Sequence, residues 1–194
     1  MHFDILSIVL SFGYIGLFLL IFAESGLFFG FFLPGDSVLF SVGLLASQGS
    51  FNIWILVPLV CVAAVLGDSV GYWFGNKVGP ALFKREDSLL FKKRYVTETH
   101  AYYEKYGAQT LILARFIPVV RTFAPILAGV GKMKYSTFLR FNLIGGIGWA
   151  AGVTLLGYFL GNVVPGIDKY IYPIIAIIVI VSALPVLWQW WKGR

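Results

Sequence analysis

Four charged residues lie in stretches of sequence that are otherwise apolar: Glu24, Asp36, Arg115 and Arg121. A charge at the centre of a membrane helix costs roughly 2.5–3.5 kcal/mol, so four facing lipid would cost on the order of 10 kcal/mol. That is comparable to the whole free energy of unfolding of a domain. We therefore predict that these side chains face water, one another or a charged ligand.

The four residues point to two kinds of chemistry. Arg115 and Arg121 are candidate phosphate-binding residues, because the planar guanidinium donates two parallel hydrogen bonds to two oxygens. A helix break at Pro118 would add exposed backbone amides, which favour an anion. Glu24 and Asp36 are candidates for proton or cation coupling, since a carboxylate in a poorly hydrated cleft can take up and release a proton.

Each of these residues also has a structural interpretation. Asp36 precedes an apolar helix and could act as its N-cap. Glu24 could end the first helix at the membrane interface. The arginines could serve only as ion-pair partners of the acids, and a buried ion pair alone is weak support for function.

Two further polar residues, Asp68 and Asn142, lie inside apolar spans and are candidates for the same cavity. For Asn142 the simpler interpretation is an interhelical hydrogen bond.

The composition defines the class of protein. Of 194 residues, 59% are hydrophobic and 12% are charged, whereas a soluble domain carries about 25% charged residues. Only a lipid solvent accommodates so much apolar surface.

The single cysteine, Cys61, excludes an internal disulfide and a cysteine metal cluster, so we expect neither metal nor cofactor. The first four residues lack a basic signal region, and we expect the first apolar segment to be retained.

The positive charges are concentrated in two places. Seven lysines and arginines lie between residues 76 and 107, and Lys192 and Arg194 lie at the carboxyl end. This pattern is typical of the positive-inside rule. We predict that both regions are cytoplasmic and that nucleic acid is not a partner.

The first half of the chain is predicted to contain a broken helix. Residues 5–23 carry no charge and suffice for a membrane helix. Residues 25–33 are too few to cross a bilayer and end at Pro34 and Gly35. We predict a re-entrant hairpin with residues 37–47 as its second arm, followed by a span over residues 53–75.

The second half is predicted to repeat this plan. Residues 108–130 contain both arginines together with Pro118 and Pro125, each of which removes a backbone donor. We predict a second re-entrant hairpin broken at these two prolines. Full spans follow over residues 141–160 and 170–191.

An internal repeat relates the halves. Residues 71–78 (Gly-Tyr-Trp-Phe-Gly-Asn-Lys-Val) match residues 157–164 (Gly-Tyr-Phe-Leu-Gly-Asn-Val-Val), and the same offset aligns Gly43 with Gly129. The two matching spans should run in opposite directions, so we predict an inverted repeat. The predicted fold is a single all-α integral membrane domain with a first repeat (5–75), a polar loop or helix (76–107), a second repeat (108–164) and a final helix (170–191). Secondary transporters commonly share this plan.

Three motifs carry a resemblance to a known family. They are Glu24 with Phe32-Leu33-Pro34-Gly35-Asp36; Tyr106-Gly107 leading into Arg115-Phe116-Ile117-Pro118-Val119-Val120-Arg121-Thr122; and Phe138-x-x-x-Asn142-x-x-Gly145 with Trp149. With these motifs the chain resembles the DedA family, which shares the VTT domain with eukaryotic lipid scramblases. The resemblance extends from Gly13 to Trp191.

The resemblance implies lipid movement across the bacterial inner (cytoplasmic) membrane. The family is associated with return of undecaprenyl phosphate to the inner leaflet, with phospholipid scrambling and with dependence on the proton motive force. Its membrane-embedded acids correspond to Glu24 and Asp36, and its two essential arginines to Arg115 and Arg121. The implied partners are membrane lipids and protons, and the oligomeric state stays open between a monomer and a homo-oligomer.

Three alternatives compete with a lipid translocase. In a proton-coupled exporter or antiporter of small cations or drugs, the acids would be the substrate site. A membrane enzyme such as a lipid phosphatase would need general acid–base groups, yet the only histidines are His2 and His100. We therefore predict that the chain is not an enzyme. A non-catalytic assembly factor would not explain charges in both hairpins.

Overall fold

The computed structural model describes residues 5–27, 35–82, 107–115 and 118–164. Within these ranges every regular element is helical, which confirms the all-α prediction. The helices are α1 (Ile5–Gly26), α2 (Gly35–Ser47), α3 (Ile53–Leu82), α4 (Thr110–Ala114), α5 (Pro118–Val130) and α6 (Tyr135–Val163). The predictions for Pro34, for most of the polar stretch and for the span at 170–191 lie outside the described residues.

Two of these helices are long and apolar enough to cross a membrane, over Ile53–Val78 and Tyr135–Val163. The other apolar helices are shorter: Gly13–Gly26, which is the part of α1 that follows a kink at Gly13 (φ 57°), Gly35–Ser47 and Val120–Val130. The two long helices agree with the spans predicted over residues 53–75 and 141–160, whereas the first helix, predicted to be continuous over residues 5–23, is kinked at Gly13. The re-entrant path of the short helices and the inverted orientation of the halves stay predictions.

The long helices extend beyond the predicted spans. Helix α3 continues past Gly75 to Leu82, so the polar stretch does not begin as a loop at residue 76. Lys77 allows this because its long stem reaches back over the Trp73 ring, with Nζ 4.2 Å from the ring centre. Helix α6 likewise begins at Tyr135 rather than at residue 141.

The two prolines of the second half have different roles. Pro118 begins α5, where the missing N–H removes no helical hydrogen bond, and α4 has already ended at Ala114. The break predicted at Pro118 is therefore present. The break predicted at Pro125 is wrong, because Pro125 lies inside α5. It only withholds one hydrogen bond from the carbonyl of Arg121, one turn earlier.

Helices α2 and α6 pack closely against each other at two glycines. A side chain at Gly43 would overlap the Thr154 carbonyl, and one at Gly157 would overlap the Phe40 carbonyl. Glycine at both positions therefore lets the two backbones touch.

Helices α5 and α3 make the corresponding contact in the other half. A side chain at Gly129 would overlap the Tyr72 carbonyl, and one at Gly75 would overlap the Ile126 carbonyl. Gly43 and Gly129 are the glycines that the sequence repeat aligns. Each half therefore packs its short helix on the long helix of the other half, while the inverted repeat itself stays a prediction.

Gly43→Ala should lower the stability of the fold. The added methyl group forces α2 and α6 apart, and overpacking of this kind costs about 1–3 kcal/mol. The matched control is Gly152→Ala on α6, where nothing among the described residues lies within 4 Å of the added carbon. The control should be neutral or slightly stabilising, since alanine is a better helix former. Thermal unfolding in mild detergent, followed by circular dichroism, compares the two; equal midpoints would contradict the packing.

Candidate functional site

Glu24 lies in the last turns of α1 and is buried, with 2% of its surface exposed. Its carboxylate lies against the Cα of Gly35, in the space that any side chain at residue 35 would occupy. Gly35, predicted as a hairpin break, is the first residue of α2. Glycine is therefore required here to accommodate the buried acid.

Arg121 on α5 joins the two acids predicted for coupling. Its Nη1 donates to Asp36 Oδ1 at 2.7 Å, and its Nη2 donates to Glu24 Oε1. Asp36 lies in the first turn of α2, so a single guanidinium ties three helices together. Arg121 is therefore an ion-pair partner of both acids, as one interpretation of the sequence expected.

Trp149 on α6 completes this group. Its indole N–H donates to Asp36 Oδ1 at 2.7 Å, and the Arg121 guanidinium carbon lies 4.5 Å from the centre of its ring. Both contacts favour a charged arginine beside a carboxylate. We call Glu24, Asp36, Arg121 and Trp149 the Arg121 cluster. In the sequence Trp149 stands out only as part of a motif, although a buried indole N–H ordinarily needs an acceptor.

The hydrogen bonds of Asp36 differ from those expected of an N-cap residue. Its carboxylate accepts hydrogen bonds from Arg121 and Trp149, which belong to other helices. Asp36 is also the most exposed acid of the site, at 22%. Asp36 therefore acts between helices.

Arg115 forms a separate group with the two residues predicted for the cavity. It pairs with Asp68 on α3 and donates to the Asn142 side-chain oxygen on α6. Asn142 in turn donates to the Val65 carbonyl at 3.1 Å, so the predicted interhelical hydrogen bond is confirmed. We call Arg115, Asp68 and Asn142 the Arg115 cluster; all three are buried.

The idea that Arg115 pairs with an acid of the first hairpin is wrong. Its side chain passes over Gly145 and Gly146, and its Cδ would lie 3.2 Å from a carbon added at Gly145. These glycines leave room for the guanidinium between α4, α6 and α3. Asp68 is the acid that this path reaches.

Both arginines border one small cleft with about 10 Å³ of space, roughly that of one water molecule. Its polar walls are Arg115, Arg121 and Asn142, and its apolar walls include Pro125 and Phe138. Two guanidinium groups beside one cleft form an arrangement suited to an anion with several oxygens. Among the described residues, no three His, Cys, Asp or Glu side chains group as metal ligands.

The Arg121 cluster contains two acids and one base. Within the described part of the chain, Oε2 of Glu24 is buried without a hydrogen-bond partner. With both acids ionised the cluster would carry a net charge of −1, and a buried uncompensated charge is costly. The cluster is therefore suited to hold one proton or another small cation.

Gly35→Ala should displace Glu24 from Arg121, because the methyl group takes the position of the carboxylate. Once separated from Arg121, the acid should become protonated, the form that dicyclohexylcarbodiimide modifies. Mass spectrometry should show faster labelling of Glu24, together with a stability loss of about 1–3 kcal/mol. Gly148→Ala, with open space at that position among the described residues, is the control. Unchanged labelling would contradict the placement of Glu24.

Two helices long and apolar enough to cross a membrane, with buried ion pairs between helices, define the class as a helical membrane protein with an internal polar site. Residues 33–159 match the VTT domain, and the chain belongs to the DedA family. The resemblance noted from the motifs is thereby confirmed.

Similar proteins occur in Mycobacterium leprae and Escherichia coli. An uncharacterised membrane protein of Mycobacterium leprae is 53% identical over 90% of this chain and 78% of its own length. Protein DedA of Escherichia coli is 44% identical over 87% and 78%, and the E. coli inner membrane protein YqjA is 33% identical over 91% and 84%. No solved structure matches the chain at a significant level.

Proposed function

We propose that the chain moves a phosphate-bearing lipid, undecaprenyl phosphate or a phospholipid, across the bacterial inner membrane, and that protons are coupled to this movement. Residues 76–107 and the carboxyl end face the cytoplasm in this proposal. The observation that carries it is the cleft bordered by both Arg115 and Arg121.

The phosphate is held by the two guanidinium groups. Each arginine is already paired with a carboxylate, Arg115 with Asp68 and Arg121 with Glu24 and Asp36. A phosphate entering the cleft competes with these carboxylates for the same donors. Since phosphate and carboxylate both accept bidentate bonds from arginine, the exchange conserves charge-assisted hydrogen bonds.

The coupling to protons follows from the charge balance of the Arg121 cluster. When Arg121 turns to a phosphate, Glu24 and Asp36 lose their shared cation. Two neighbouring acids without a cation in a buried site cannot both stay ionised cheaply. Uptake of protons by the acids therefore accompanies capture of the lipid, and their release accompanies its departure.

The excess of acid also favours a second candidate, a proton-coupled exporter or antiporter of small cations or drugs. In that case a cation replaces the proton between Glu24 and Asp36, and the arginines only adjust the acids. The two candidates predict different effects of substitution at Arg115, which forms no ion pair with Glu24 or Asp36. Transport that survives Arg115→Ala favours the exporter. Neither candidate involves a covalent step, in keeping with a transporter rather than an enzyme.

The test is lipid movement in vesicles that contain the purified protein. Labelled undecaprenyl phosphate and labelled phosphatidylethanolamine are supplied in one leaflet, with and without an imposed pH gradient. We expect protein-dependent movement of a phosphate lipid that the gradient accelerates. If well-folded protein moves neither lipid, the translocase is excluded and the exporter becomes the better candidate.

A further inference from the structure

We infer that Trp149 is a positioning residue of the Arg121 cluster, which holds Asp36 and one face of Arg121 while the guanidinium passes from carboxylate to phosphate. This inference rests on the proposed function.

The geometry gives Asp36 two donors on the same oxygen. Oδ1 accepts from Arg121 Nη1 and from Trp149 Nε1, each at 2.7 Å. The first donor belongs to the group that must capture the phosphate. The second belongs to a rigid, buried ring on α6, in the core that α1, α2 and α3 share.

The two donors therefore behave differently when a phosphate arrives. If Arg121 turns toward the phosphate, Asp36 keeps the hydrogen bond from Trp149 and stays in place for the return step. Without that bond, Asp36 would lose both described donors at once. A carboxylate oxygen left without a donor in a partly buried site is costly, so capture of the phosphate would become less favourable.

The ring of Trp149 serves Arg121 as well. A cation–π contact uses the face of the guanidinium, whereas hydrogen bonds to carboxylate or phosphate use its edge. With its guanidinium carbon 4.5 Å from the ring centre, Arg121 can exchange partners at its edge while its face stays covered.

Glu24 differs from Asp36 in this respect. Its Oε2 has no hydrogen-bond partner among the described residues, and the charged groups that face it are Arg121 and Asp36. Release of Arg121 therefore leaves Glu24 less well held than Asp36. Trp149 thereby gives the two acids different roles. Asp36 is the carboxylate that is held in place, and Glu24 is the acid that accepts the proton.

Trp149→Phe removes the indole N–H but keeps an aromatic face beside Arg121. It therefore tests the hydrogen bond to Asp36 separately from the cation–π contact. The measurement is binding of undecaprenyl phosphate to the purified protein in detergent, by titration calorimetry. Loss of a hydrogen bond to a charged acceptor should weaken binding about ten-fold or more. Trp54→Phe, which changes an exposed tryptophan of α3, should bind as wild type does.

A double-mutant cycle tells positioning from general packing. In an Asp36→Ala background, which removes the acceptor, Trp149→Phe should cause little further loss of affinity, because the two residues act through one bond. A second variant, Trp149→His, keeps a ring N–H donor and should recover part of the affinity. Thermal midpoints show whether each variant is folded.

The outcomes are distinct. Binding by wild type that Trp149→Phe leaves unchanged, or equal losses in both backgrounds, would overturn the role of Trp149 alone. Absence of undecaprenyl phosphate binding by folded wild type would overturn this inference together with its phosphate ligand, and the vesicle assay with phosphatidylethanolamine would then judge the proposed function separately.

Discussion

Arg121→Gln is expected to destabilise the folded protein by about 3–5 kcal/mol, the usual effect of removing one partner from a buried ion pair. The substitution leaves Glu24, with 2% of its surface exposed, and its neighbour Asp36 without their shared cation. It also removes the bridge between α1, α2 and α5. The measurement is the thermal midpoint of the purified protein in mild detergent, together with its yield in monodisperse form.

A second substitution should reverse most of this loss. In Arg121→Gln/Glu24→Gln the buried acid is neutral, and Asp36 still receives the hydrogen bond from Trp149. The matched control is Arg140→Gln, which removes an exposed arginine of α6 and should leave the midpoint unchanged. Wild-type stability in Arg121→Gln would mean that the bridge does not hold the helices together.

Substitutions at Asp68 and Arg115 are expected to change phosphate binding in opposite directions. Asp68→Asn keeps the charge of Arg115 and removes the carboxylate that competes with phosphate, so affinity for undecaprenyl phosphate should rise roughly ten-fold. Arg115→Gln removes a phosphate donor and leaves Asp68 buried without its cation. This variant should lose binding and also stability, by about 3–5 kcal/mol. Titration calorimetry and thermal unfolding give the two quantities.

The double variant Arg115→Gln/Asp68→Asn separates these two effects. Both charges are gone, so stability should return toward that of wild type while binding stays lost. Wild-type binding by the double variant would show that Arg115 is only a scaffold for Asp68 and Asn142. That result would favour the exporter over the lipid translocase.

The sequence predicted the clustering of charges because the physical constraint is general. Any charge in an apolar span needs a partner, so Glu24, Asp36, Arg115 and Arg121 had to face inward. Which acid meets which base depends on the paths of the side chains between helices. Arg115 reaches Asp68 only because Gly145 and Gly146 leave room for its stem, and a single sequence does not reveal that helix contact.

Helix ends and breaks were predicted less well, for local reasons. Pro118 and Pro125 look alike in the sequence, yet only the first stands where a missing donor removes no bond. The span predicted to end at residue 75 continues past Lys77, whose stem reaches back along the helix. Trp149 gave no local signal of its partner, because Asp36 lies on another helix.

The central claim is that Arg121 binds a phosphate while Glu24 carries the proton. One comparison of variants in vesicles tests both parts. Movement of labelled undecaprenyl phosphate is measured for wild type, Glu24→Gln and Glu24→Gln/Arg121→Gln, with and without a pH gradient. We predict gradient-driven movement by wild type, movement that no longer responds to the gradient in Glu24→Gln, and none in the double variant. Movement at the wild-type rate by the folded double variant would contradict the claim.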